Sequence, residues 1–155
     1  MIQRIQSVWL FLATTAIFAL FLFPYVQVLN AEGTARAIKV TGVYESINGQ
    51  VVQTEPFLAL TIATVILGLL PFAIIFLYKN RKQQITLSYI TILLILGFSF
   101  WTAQVAKGAA GTTDLQLQNY GLGVILLPIA ILFIILALKG IRKDEKLIRS
   151  ADRLR

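Results

Sequence analysis

The sequence predicts an all-α integral membrane protein. It reads as four transmembrane helices in an antiparallel bundle, with a short extracytoplasmic β-hairpin between helices 1 and 2 and a cytoplasmic basic amphipathic helix at the C-terminus. Three observations predict it. Apolar stretches cover residues 8–29, 57–78, 85–106 and 121–138, each close to the ~20 residues that an α-helix needs to cross a ~30 Å hydrocarbon core. Eleven of the fourteen Lys and Arg fall in residues 1–7, 79–84 and 139–155, the segments at one end of such a bundle. Trp9, Tyr78 and Tyr89 mark that boundary and Tyr25, Trp101 and Tyr120 the opposite one, as amphipathic rings that favour the headgroup region should.

Composition agrees. With 57% apolar residues and 14% charged, and a mean hydropathy of +0.79, the chain belongs among integral membrane proteins. Four crossings in 155 residues leave room for a single membrane domain, residues 1–155. The loops away from the basic end keep only Arg36, Lys39 and Lys107. By the positive-inside rule both termini are therefore expected in the cytoplasm. Topology and anionic lipid explain the net charge of +7 better than nucleic acid does, because half of the basic residues lie in the tail beside a membrane.

Taken in order, the first stretch reads as a retained helix over residues 8–29. Leu29-Asn30-Ala31 is a poor cleavage site and the apolar run is too long for a signal peptide. The outer loop, residues 30–56, holds β-prone runs at Ile38–Thr41, Val43-Tyr44 and Gln50–Thr54 around Asn48-Gly49, the strongest short signal for a tight hairpin turn. A plain loop with one turn is the alternative. The basic turn at residues 79–84 is too short for its helices to be anything but antiparallel neighbours. The second outer loop, residues 107–119, is rich in Gly and Ala and is expected to be flexible. Leu69–Phe76 matches Leu126–Phe133 at six of eight positions, including Pro71 and Pro128. A duplicated helical hairpin would give that match, and so would apolar composition alone. Either proline should kink its helix.

Chemistry is scarce. Without Cys or His there is no thiol exchange, no histidine-ligated metal or haem, and no Ser-His couple. The adjacent acids Asp144 and Glu145 sit among Arg142, Lys143 and Lys146, which reads as a solvated charge mixture and not a metal site. The four stretches contain no ionisable group except tyrosine; their Thr14, Thr15, Thr61, Thr64, Ser88, Thr91, Ser99, Thr102 and Gln104 read as polar packing groups. An enzyme is not expected, nor is a cofactor.

The tail, residues 139–155, is the densest signal. At 100° per residue, Ile141, Leu147, Ile148, Ala151 and Leu154 share one arc, and Arg142, Lys143, Lys146, Arg149 and Arg153 share another. This basic amphipathic helix either continues the fourth span or bends near Gly140 to lie on the inner leaflet. Its five bases are the candidate contact residues, for anionic headgroups or for a protein partner.

Three segments resemble a known family: Met1–Gln6, the turn Lys79–Gln83, and the ending Ile141–Leu147 with Ser150–Arg155. They look like those of small four-helix inner-membrane proteins of Bacteroidota, a family with a domain of unknown function, and the likeness spans essentially the whole chain. The resemblance implies a bacterial cytoplasmic membrane and brings no activity or catalytic residue. The function expected from the residues is that of a membrane accessory or scaffold protein contacting a larger assembly through its tail and outer hairpin. The alternative is a small transporter or channel, working as a homo-oligomer with Pro71 and Pro128 as hinges.

Overall fold

The repeated spacing of small and apolar residues decides how the helices form and meet. A computed structural model describes residues 2–29, 34–47, 49–111 and 116–152. Its helices are α1 (Ile2–Phe18), α2 (Leu58–Phe76), α3 (Arg81–Ala110) and α4 (Gly123–Asp152); its strands are β1 (Val26–Leu29), β2 (Ala35–Lys39), β3 (Gly42–Ile47) and β4 (Gln50–Pro56). Each helix buries a narrow stripe at alternating spacings of three and four. On α1 the stripe is Gln6, Leu10, Ala13, Ile17 and Leu20, the last in a 3₁₀ turn that extends the helix; on α4 it is Leu127, Ala130, Ile134, Ala137, Ile141 and Asp144. Leu60, Thr64, Leu67, Pro71 and Ile74 repeat the pattern on α2, as do Gln84, Ser88, Thr91, Ile95, Phe98 and Thr102 on α3. Such stripes favour packing close to antiparallel. α1 lies against α2 and α4, and α3 against the same two.

Small residues let the backbones approach, as membrane helix interfaces require. A Cβ on Gly68 would come within 2.9 Å of the Phe18 ring, and one on Gly140 within 2.8 Å of the Gln6 side chain. The hydroxyls in the stripes turn back on their own helices. Thr64 donates to the Leu60 carbonyl at 2.7 Å, Ser88 to Gln84 at 2.7 Å and Thr91 to Leu87 at 2.8 Å, which satisfies their protons without a partner helix. Both α2 and α4 run unbroken through their prolines. Pro71 is buried whereas Pro128 is exposed, so the matched octapeptides present different faces.

The chain is not all-α. Its four strands form one antiparallel meander in the order β1-β2-β3-β4, where a lone hairpin was expected. The expected span over residues 8–29 ends early. After Phe18 the chain tightens into the 3₁₀ turn Ala19–Phe21, Pro24 has no N–H with which to continue a helix, and Val26–Leu29 alternates buried and exposed as a strand. Hydrophobicity alone cannot separate a buried strand from the end of a helix. The missing strand β2 carries Arg36 and Lys39, and pairing holds it in place: Val26 opposes Ile38 on one side, and Arg36 opposes Glu45 on the other. The β3–β4 hairpin is present with Ile47 opposite Gln50; Gly49 has φ +79°, while Asn48 lies outside the described residues. The second outer loop is also shorter than expected, because α3 continues through Lys107 to Ala110.

Among the described residues, three helices are long and apolar enough to cross a membrane: Leu58–Phe76, Arg81–Ala110, and α4 over Gly123–Leu147. The apolar helix Ile5–Phe21 is shorter, because residues 22–29 are spent on the connection and β1. The tail is no separate helix; α4 continues through Gly140 to Asp152.

The sheet stands on one end of the helical layer. Val26, Val28 and Ile38 join the core formed by Ile17, Leu20 and Leu127. The β2–β3 turn is wedged into the helices, with Val40 fully buried, its carbonyl accepting from the Thr61 hydroxyl at 3.2 Å and that of Thr41 from Phe57 N–H at 3.0 Å. Gly42 follows with φ +151°, and a Cβ there would run into the Glu55 carbonyl. Gly42→Ala should therefore cost about 1–3 kcal/mol, read as a lower midpoint in detergent unfolding, whereas Gly49→Ala, which meets open space, should cost less. Equal midpoints for the two variants would contradict the wedge.

Candidate functional site

The two ends of the helical layer carry its polar features. At the basic end, α1 and α4 meet through their first and last stripe positions. Gln6 Nε2 donates to Asp144 Oδ2 at 2.7 Å, and both side chains are buried. Asp144 is thus not part of a solvated charge mixture. Continuing α4's three-four spacing past Ile141 places Asp144 on the seam, a signal that reading the tail as an isolated amphipathic helix misses. Gly140 opposite Gln6 makes the room. An uncompensated buried carboxylate is costly, and the Gln6 amide meets part of that cost.

With Asp144 turned inward, α4 presents its bases outward. Lys143 and Lys146 are exposed, and the Arg142 guanidinium lies over the Tyr89 ring of α3, 5.0 Å from its centroid, in a cation–π contact. Ile141 is buried in the seam, whereas Leu147 is half-exposed, so the expected apolar arc divides between packing and surface. The side chains of Ile148 and Arg149, and residues Arg153 and Leu154, lie outside the described residues. Of the five candidate bases, the structure thus displays Arg142, Lys143 and Lys146 on one helical end.

At the sheet end, Arg36 binds the helices to the strands. Its Nη1 donates to the Ala109 carbonyl at 2.9 Å and its Nε to Glu45 Oε1 at 2.6 Å, in an ion pair that also engages Nη2. Ala109 is in the last turn of α3, where carbonyls lack helical partners and a cation is favoured. One arginine so caps a helix and pins a sheet to it. Arg36 and Glu45 also border an open hollow of about 700 Å³ at the sheet, whose lining includes Gln27, Tyr44, Gln116 and Gln118.

The sheet base is joined to α4 through backbone. Gly121 N–H donates to the Tyr25 carbonyl and Gly123 N–H to that of Pro24, both at 3.0 Å, and Val26 bridges Tyr120. Beneath that junction lies a slot of about 100 Å³ between α3 and α4. Tyr25 forms part of its wall, and its phenol oxygen is buried with no hydrogen-bond partner among the described residues. Burial pushes that phenol above its ordinary pKa, so it stays a protonated donor.

Against known proteins, the family model described as a domain of unknown function (DUF4293) matches residues 2–154. The chain belongs to this DUF4293 family. No curated protein matches at a significant level. Membership covers both polar ends, from the Gln6 seam to the α4 tail, and assigns neither an activity.

The Gln6–Asp144 contact has a measurable signature. Gln6→Leu leaves the carboxylate without its amide and should destabilise by about 1–3 kcal/mol, while Gln6→Leu with Asp144→Leu should recover most of that loss. A double-mutant cycle in detergent unfolding reads the coupling; additive effects would contradict a buried pair.

Proposed function

We propose that this protein is a non-enzymatic accessory or scaffold of a bacterial inner-membrane assembly. Its contact surfaces are the basic end of α4, in the cytoplasm, and the sheet, outside. The observation that carries the reading is the pinned tail. Asp144 and Ile141 fasten the end of α4 into the seam, so Arg142, Lys143 and Lys146 are held on a rigid helix. A segment serving only to set topology has no need of such rigidity. Anionic headgroups lie within reach of the same bases, each worth about 1 kcal/mol near a charged surface.

The orientation follows from charge. Gln6 meets Asp144, so the chain's two ends share one end of the helical layer. The positive-inside rule places that end in the cytoplasm. A transporter reading draws less support: the seams are filled by packed side chains, and Pro71 and Pro128, one buried and one exposed, do not make a matched pair of hinges.

Replacing Arg142, Lys143, Lys146, Arg149 and Arg153 with Gln tests the proposal. Membrane abundance should hold, because Arg4 and the Lys79–Lys82 turn still bias orientation, while proteins that co-purify with the wild type in mild detergent should be lost. Unchanged co-purification would overturn the docking role. An inverted or depleted protein that keeps its partners would reduce the tail to a topology signal.

A further inference from the structure

The fold treats the two edges of its sheet differently. β1 is met by the start of the α4 segment, where Val26 bridges Tyr120 and the Tyr25 carbonyl takes the Gly121 N–H. Among the described residues β4 pairs with β3 alone and ends the sheet. All seven of its residues are exposed. Register decides which of its backbone groups are free. Ile47 opposes Gln50, and the pair that flanks a two-residue connection is a hydrogen-bonded one. Hydrogen-bonded and open pairs then alternate, so Gln50 and Val52 turn their N–H and C=O groups to β3 while Val51 and Gln53 turn theirs outward. Natural edges are guarded against strand addition by a lysine, a proline or a bulge. Gln50-Val51-Val52-Gln53 has no charge and no proline, and the register shift that leaves Thr54 unmatched comes after it. Val51 is 74% exposed and Val52 47%, one on each face of the sheet.

We propose that β4 is a docking edge, to which an extended segment of a partner protein adds as a fifth strand, hydrogen-bonding to the backbone of Val51 and Gln53. The chemistry of the edge chooses this occupant. Donors and acceptors repeating at the spacing of a strand are matched along their length by another extended backbone. The run is uncharged, so it asks for no ion, and its two valines offer an apolar neighbour on either face of the added strand. β4 leads into α2 through Phe57 alone, so the edge is held against the helical layer, at the end opposite the basic tail. The existence of a partner rests on the accessory reading; the mode and place of its binding come from the edge.

The test follows amide hydrogen exchange, residue by residue, in two preparations of the full-length protein. One is extracted with its native membrane in polymer nanodiscs, and the other is purified alone in mild detergent. Alternation is the signature. Gln50 and Val52 amides should be protected in both. Val51 and Gln53 amides should exchange freely in detergent and about tenfold more slowly in native nanodiscs, the ratio given by an edge covered about nine-tenths of the time. Val51→Pro removes only an outward N–H, which edge strands tolerate. Gln53 should then lose its protection in native nanodiscs while the unfolding midpoint stays close to that of wild type. Val51→Lys keeps the backbone and adds a charge of the kind that guards natural edges; it should have the same effect and stands in if the proline variant misfolds. Equal exchange of Val51 and Gln53 in the two preparations would overturn the proposal, and would leave the accessory reading standing wherever tail-dependent co-purification holds. Protection regained by the purified protein in vesicles of phosphatidylethanolamine and phosphatidylglycerol would overturn it too, since lipid or a second copy would then be the cover.

Discussion

The seam between α1 and α4 is the constraint on which the rest of the molecule depends. It joins the first helix to the last by stripes of opposite direction, Gln6 to Leu20 against Asp144 to Leu127. Both ends of that seam are closed by hydrogen bonds. The Gln6 amide meets Asp144 at one end, and the carbonyls of Pro24 and Tyr25 receive the N–H groups of Gly123 and Gly121 at the other. Because the seam is fixed at both ends, α4 is held against α1 as far as Asp144 and the sheet acquires a base. Small residues make it possible: alanines at 13, 130 and 137 are fully buried, and van der Waals contact between close backbones takes the place of the hydrophobic drive that lipid does not supply.

The sheet follows from that base. Strand β1 begins where the seam ends, β2 pairs with β1 and β3 with β2, and Arg36 ties the inner face to the end of α3. A three-point attachment through α3, α4 and the Val40 wedge lets a small sheet persist, whereas an isolated hairpin would be marginal in water. The result is a packed helical layer with a polar feature at each end, the Gln6–Asp144 contact at one and the Arg36 attachment of the sheet at the other. It also leaves the Tyr25 phenol oxygen, like the Thr14 hydroxyl, buried with no hydrogen-bond partner among the described residues.

Much of this was readable in the residues. The apolar runs gave α2, α3 and α4 to within a few residues at most ends, and Asn48-Gly49 marked the β3–β4 turn, where Gly49 takes positive φ. The remainder was hidden for physical reasons. Val26-Gln27-Val28-Leu29 continues an apolar stretch without a break in hydropathy, and only Pro24 signals the change. The start of β2, Ala35-Arg36-Ala37, lies before the β-prone run at Ile38, and Arg36 and Lys39 are held by Glu45, Ala109 and Tyr44, all distant in sequence or on another strand. Asp144 looked solvated beside its basic neighbours, although the stripe Ile134, Ala137, Ile141 already pointed through it. Long-range partners of polar residues are the information that a local reading lacks.

The DUF4293 family to which the chain belongs makes the seam a claim about more than one sequence, and the absence of cysteine makes it directly measurable. Leu10 and Ala137 are buried in one cluster on the facing stripes of α1 and α4, while Leu93 on α3 is 70% exposed and turned away from it. Paired cysteines at 10 and 137, oxidised in native membranes, should crosslink rapidly, and cysteines at 10 and 93 should not. Crosslinking at 10 and 93 with none at 10 and 137 would show that α1 packs elsewhere, and the account of the tail and the sheet would fall with it.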